Sequence, residues 1–276
     1  MAPDQLYILD LGLSSFSFRN GRIMTCRADG SGLKELVSGL QTLPDGIAVD
    51  PTILPRDKTH TPKQLKIVNE KLQWCDCQGM QVMRAKLDGS EVEVLYRAGM
   101  TDKNREDRRN WCVGIAVDES RQKLYWTQKG PSKGSQGRIM CMDLPGLDSQ
   151  HTSDHSLVPR PNPQPSVLLD RLPEPIVLEL DVQTNTLYWS DRGDPPFGNL
   201  INAAQLDAVD NMGLLAARIL VHRLHEGIGL SLDLTWRRMF FGEFLWGVYT
   251  ADLDGTHKET LFTDLGDITG ILYVGA

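Results

Sequence analysis

The stretch that decides the fold is Gly114-Ile-Ala-Val-Asp118 followed by Leu124-Tyr-Trp-Thr-Gln128. The first phrase is an apolar, β-branched run ending in an acid. The second places aromatic residues beside a small polar one. Short runs of this composition, bounded by turn formers, are strand chemistry. The pair recurs: Ile176-Val-Leu-Glu-Leu-Asp181 precedes Leu187-Tyr-Trp-Ser-Asp191, and Gly227-Ile-Gly-Leu-Ser-Leu-Asp233 precedes Met239-Phe-Phe-Gly-Glu243. Gly46-Ile-Ala-Val-Asp50 reads as the first strand belonging to Leu72-Gln-Trp-Cys-Asp76.

Working outward, a third phrase follows each second one, as in Gly137-Arg-Ile-Met-Cys-Met-Asp143 and Val248-Tyr-Thr-Ala-Asp252. A fourth β-rich run closes the unit, as in Glu91-Val-Glu-Val-Leu95. Asp29-Gly30, Asp88-Gly89 and Asp254-Gly255 sit between third and fourth runs, where tight hairpins use Asp-Gly. No stretch carries sustained helical periodicity. Four antiparallel strands per unit, repeated radially, predict an all-β propeller spanning residues 1–276 as one domain. The second-strand phrases begin at Leu6, Leu72, Leu124, Leu187 and Met239, a count of five blades, with six left open. Leu6-Tyr-Ile-Leu-Asp10 lacks a preceding first strand, and Gly270-Ile-Leu-Tyr-Val274 lacks a following second one. Pairing them closes the ring and hides two strand edges.

These phrases resemble the YWTD repeats of low-density-lipoprotein-receptor propellers over nearly the whole chain, best at Leu124-Tyr-Trp-Thr and Leu187-Tyr-Trp-Ser-Asp. That family usually has six blades. Trp126 and Trp189 belong to the repeat and are expected in the core.

The net charge of −7 argues against nucleic acid, which needs a basic stripe. No apolar run reaches the roughly 18 residues of a membrane span. Five cysteines without paired spacing, together with the absence of a leader-like N-terminus and of glycosylation sequons, point to a reducing, cytoplasmic setting. Two insertions, Pro51 to Lys63 and Pro145 to Ser166, read as polar loops. The first is placed between first and second strands, on the face away from any site.

In a propeller the fourth-to-first and second-to-third loops gather around the channel on one face. First-strand entries supply Asp45, Trp111, Glu174, Glu226 and Asp267, with His225 beside Glu226. Second-to-third loops supply Phe16, Phe18 and Arg19, then Lys129, then Arg192, Asp194 and Phe197, then Phe244 and Trp246. Arg105, Arg108 and Arg109 belong to the rim. Aromatic walls with a few polar groups suit a small-molecule pocket. Arg19, Arg192 and His225 are the expected catalytic donors; the aromatic and acidic residues are the expected substrate contacts. Arg192 paired with Asp191 or Asp194 is the competing structural reading.

Other motifs carry less. Gly130-Pro-Ser-Lys-Gly134 fits a nucleophile pattern that needs a strand-turn-helix setting, whereas this loop joins two strands. His151 and His155 lie in a Pro-rich loop. Cys75 and Cys77 share one strand face.

In its size, its lack of a leader and its degenerate YWTD repeats, the chain also resembles the stand-alone fungal hetero-Diels–Alderases of tropolonic sesquiterpenoid (meroterpenoid) biosynthesis. That resemblance implies small-molecule substrates, an ortho-quinone methide and a humulene-type alkene, with no cofactor and no metal. Two alternatives remain: a protein-binding propeller without catalysis, and a calcium-dependent lactonase using Asp45, Glu174, Glu226 and Asp267 as oxygen ligands.

Overall fold

The computed structural model describes residues 4–12, 21–40, 60–144, 164–208, 215–245 and 247–275. Five four-stranded antiparallel sheets form the blades of a propeller. Blade one contains β1 (Gln5–Asp10), β2 (Gly21–Arg27) and β3 (Lys34–Leu40). Blade two runs β4 (Pro62–Val68), β5 (Lys71–Asp76), β6 (Gln81–Lys86) and β7 (Glu93–Arg97). A short helix α1 (Asp102–Glu106) then leads into blade three: β8 (Cys112–Asp118), β9 (Lys123–Gln128), β10 (Gly137–Asp143) and β11 (Ser166–Leu172). Blade four is β12 (Pro175–Asp181), β13 (Thr186–Asp191), β14 (Leu200–Gln205) and β15 (Arg218–Val221). Blade five is β16 (Gly227–Asp233), β17 (Arg238–Glu243), β18 (Val248–Asp252) and β19 (Glu259–Phe262). Finally β20 (Ile268–Val274) returns as the innermost strand of blade one, with Leu6 opposite Tyr273 and Ile8 opposite Ile271.

Each repeat residue has a physical task. The acid ending the first strand caps the turn into the second: Asp118 accepts from Arg121 N–H, Asp181 from Gln183 N–H and Asp233 from Thr235 N–H. The Asp-Gly pairs do the same between third and fourth strands. Asp29, Asp88 and Asp254 are each bonded by the hydroxyl and then the N–H of the residue two on, Ser31, Ser90 and Thr256, which holds their carboxyls below the usual range. The tryptophans Trp74, Trp126 and Trp189 are buried. They sit in the apolar layers within and between blades, and burying each removes a large aromatic surface from water.

The residue after the tryptophan joins neighbouring blades. Cys75 Sγ reaches the Gly114 carbonyl at 3.2 Å, the Thr127 hydroxyl donates to the Ile176 carbonyl, and the Ser190 hydroxyl donates to the Ile228 carbonyl at 2.8 Å. The acid that ends the second strand caps the entry of its own first strand. Asp10 accepts from Asp267 N–H, Asp76 from Thr61 N–H, Asp191 from Glu174 N–H and Glu243 from His225 N–H. Buried N–H groups at these strand entries are thereby satisfied.

Two expectations need correction. The first strand of blade two is Pro62–Val68, not the phrase at 46–50. In blades three to five the acid-to-second-strand step is six residues: Asp118 to Leu124, Asp181 to Leu187, Asp233 to Met239. Blade two turns more tightly, with only Asn69 and Glu70 between β4 and β5, and the phrase at 46–50 lies too far from Leu72 for either spacing. The insertion read there therefore precedes β4 in the chain, and its residues 51–59 lie outside the described residues. The chain also has a helical turn, α1, fixed by a Thr101–Asn104 capping box too short to leave a periodic signature. No helix among the described residues is long and apolar enough to cross a membrane.

Candidate functional site

The five inner strands enclose the channel, and the repeat sets two rings of five equivalent residues at its mouth. The lower ring is the second residue of each inner strand: Lys63, Val113, Ile176, Ile228 and Thr269. The upper ring is the residue just after each second strand: Leu11, Cys77, Lys129, Arg192 and Phe244. In every blade the N–H of this upper residue donates to the carbonyl just before the inner strand, at 2.9–3.1 Å. Thr61, Trp111, Glu174, Glu226 and Asp267 supply those five carbonyls. All ten ring residues, with Thr61, Gln78 and Trp111, line one cavity of about 210 Å³ that opens at the mouth.

Below the lower ring the channel narrows around Gln64, Lys66 and Glu179. The Gln64 amide crosses from β4 to two other blades. Its oxygen accepts from Ile115 and Leu178 N–H, and its nitrogen donates to the Leu178 carbonyl at 2.9 Å. Lys66 meets Glu179 at 2.5 Å, where burial pushes the Glu179 carboxyl up and the ammonium holds it down. The mouth cavity thus has a polar floor.

Trp111 is fixed on three sides. Its indole N–H donates to the Arg105 carbonyl at 2.8 Å, the Arg108 guanidinium lies 5.3 Å from its ring and the Lys129 ammonium 5.6 Å. Arg192 forms an ion pair with Glu226 at 2.9 Å, while Asp194 pairs with Lys133. The expected partners Asp191 and Asp194 are therefore not the ones used. A guanidinium has five N–H donors, so the Glu226 bond leaves others for the cavity. Lys129 meets Glu174 at 2.7 Å, and Ser132 of the Gly-x-Ser-x-Gly loop donates to the same carboxylate at 3.0 Å. That serine is spent on a loop contact between β9 and β10.

Of the residues singled out from sequence, Trp111, Lys129, Arg192 and Phe244 converge on the cavity. Glu226 stands behind Arg192. Glu174 and Asp267 are buried at strand entries, 1% and 0% exposed, and do not line it. Phe197 is 72% exposed beyond the rim. His225 is equally exposed and points at Glu243, 3.5 Å away, so it meets no cavity group. Phe16, Phe18, Arg19, Asp45 and Trp246, like His151 and His155, lie outside the described residues. Among the described residues no three His, Cys, Asp or Glu side chains gather as a metal site. Sequence reading missed Lys63 as a wall residue because it assigned that position to a loop. The signal was the β-rich run directly before Leu72, since a tight hairpin needs its partner strand within a few residues. Leu11 and Cys77 could have been found as the positions equivalent to Lys129, Arg192 and Phe244.

Fold and mouth together define a five-bladed, YWTD-type β-propeller with a ligand-sized cavity at its axis. The chain is 41% identical over 313 aligned residues to the low-density lipoprotein receptor-related protein 1 of Pyricularia oryzae, covering 98% of each, and it belongs to that family. It is also 32% identical to the 3-hydroxyacyl-CoA dehydrogenase-like protein LAM1 of Cochliobolus heterostrophus, of which it spans 62%. Among solved structures, a chain of the nidogen/laminin complex superposes with a TM-score of 0.68 at 15% identity, each chain covered to 98%. The gluconolactonase XC5397 of Xanthomonas campestris superposes at 0.53 and 14% identity, over 92% of this chain and 79% of that one. These last two likenesses show the fold alone. No family profile matches the chain.

Proposed function

We propose that the protein is a small-molecule enzyme, a cofactor-independent hetero-Diels–Alderase joining an ortho-quinone methide to a humulene-type alkene in fungal natural-product biosynthesis. The observation that carries this reading is the mouth cavity, where Trp111, Ile176, Ile228 and Phe244 offer apolar walls beside the Arg192 guanidinium. A cycloaddition needs two partners held in reactive geometry, and proximity alone supplies several kcal/mol. It gains further from a donor aimed at the quinone-methide oxygen, where negative charge grows. Arg192, steadied by Glu226, is that donor in this reading. Both relatives named above are fungal, in keeping with such a pathway. The five cysteines, none of them in a disulfide, suit a cytoplasmic setting.

The test generates an ortho-quinone methide in situ with humulene, with and without the protein. The expected result is faster adduct formation with one enantiomer in excess. A racemic adduct formed at the buffer rate would overturn the proposal. Tight capture of an extracellular-matrix or receptor protein in place of turnover would favour a binding propeller.

A further inference from the structure

We infer that the mouth cavity binds its ligand as an anion, with a planar oxyanion such as a carboxylate held against blades two to four and a hydrocarbon body against blades five and one. The inference rests on the mouth being the ligand site, as the proposed function holds, but not on the reaction assigned to it.

The argument comes from the two rings. At the lower ring, four blades place Val113, Ile176, Ile228 and Thr269, whereas blade two places Lys63. A lysine at a position that is otherwise apolar or neutral adds nothing to packing that a valine would not, and it brings a charge to the channel axis. At the upper ring, blades three and four place Lys129 and Arg192, while blades five and one place Phe244 and Leu11. Because the blades follow one another around the axis, the three cations occupy one continuous arc. The opposite arc is hydrocarbon. Every charged side chain lining the cavity among the described residues is a cation, in a chain whose net charge is −7. Their carboxylate partners sit back from the opening: Glu174 is buried at its strand entry and Glu226 stands outside the lining. Lys129 and Arg192 are therefore positioned by acids behind them and present their remaining donors inward. A guanidinium beside ammonium groups matches the in-plane lone pairs of a carboxylate.

The test uses two probes of the same shape, 2-naphthoate and 2-naphthamide, titrated calorimetrically into the full-length protein. The expected result is naphthoate binding at least tenfold tighter than naphthamide, weakened several-fold by 0.5 M salt. Lys63→Gln and Lys129→Gln should each lower naphthoate affinity at least fivefold with naphthamide unchanged, and Lys63→Arg should restore it. Thermal melts of each variant report folding separately. Equal binding of the two probes, or binding of neither, would overturn the inference. Cycloaddition activity is read in a different assay, so loss of either conclusion is visible without the other.

Discussion

The Thr127 hydroxyl donates to the Ile176 carbonyl oxygen at 2.9 Å while accepting from Gly114 N–H at 2.7 Å. One side chain thus joins the second strand of blade three to the inner strands of blades three and four. Ser190 repeats the device one blade on, accepting from Val177 N–H and donating to Ile228.

Replacing that hydroxyl tests its weight. Thr127→Val keeps shape but orphans a buried N–H and a buried carbonyl. The expected cost is about 2–4 kcal/mol, on the scale of two unsatisfied buried groups. Urea unfolding should show a lower midpoint with an unchanged slope. A change under about 0.5 kcal/mol would mean that the ring does not depend on the contact.

Arg192→Gln should lower cycloadduct formation tenfold to a thousandfold, the range for a lost oxyanion donor. Glu226→Gln, which loosens the guanidinium without removing it, should cost less. Trp111→Ala should act mainly on substrate binding, because it removes a wall rather than a donor. Initial rates across substrate concentration separate the effects. Full activity in both Arg192→Gln and Trp111→Ala would place the site elsewhere.

Asp191 gives a dependence on pH. Its carboxyl is buried, its Oδ2 has no hydrogen-bond partner, and burial raises it to about 7 against the opposing bonds from Gly193 and Glu174 N–H. A carboxyl raised in the folded state binds its proton more tightly folded than unfolded. Its contribution is therefore favourable near pH 4 and is lost as pH climbs through about 7. Asp191→Asn should match the parent at pH 4 and be more stable at pH 8, by about 2–4 kcal/mol. Melting curves at both pH values decide it; parallel behaviour across the range would refute the assignment. Asp118 and Asp181 work the opposite way. Hydrogen bonds from Ser120 and Arg121, and from Arg237 and Thr184, outweigh burial and hold them low, so they protect the fold at neutral pH and not in acid.

Ring closure is the fourth expectation. A chain ending at Asp267 loses every β20 partner of β1, from Gln5–Val274 to Asp10–Ile268. It should show no cooperative melt, and a synthetic peptide covering residues 265–275 should restore one. Normal melting of the truncated chain would show that blade one stands on three strands.

The fold was legible because each repeat residue has a local task that leaves a fixed trace. Asp118, Asp181 and Asp233 cap identical turns, and Trp126 and Trp189 fill equivalent seams. Blade two escaped because its inner strand, Pro-Lys-Gln-Leu-Lys-Ile-Val, lacks the Gly-x-apolar-Asp signature. It carries Lys63 and Gln64 where the inner strands of blades three to five have apolar residues or glycine. Those two departures are the residues that give the mouth a cation and the channel a floor. Side-chain partnerships were less readable. That Arg192 meets Glu226 depends on the geometry between blades four and five, and no spacing within either phrase records it.

The strand that completes blade one is the last of the twenty to leave the ribosome, yet its partner β1 is the first. Throughout synthesis β1 presents an unpaired inner edge, and the channel has no fifth wall. Contacts so distant in sequence form slowly, and exposed edges invite mispairing. Assembly of the ligand cavity therefore waits for β20: Thr269 and the backbone that seats Leu11 arrive together with it. Fragments released early from translation would carry four finished blades and no mouth.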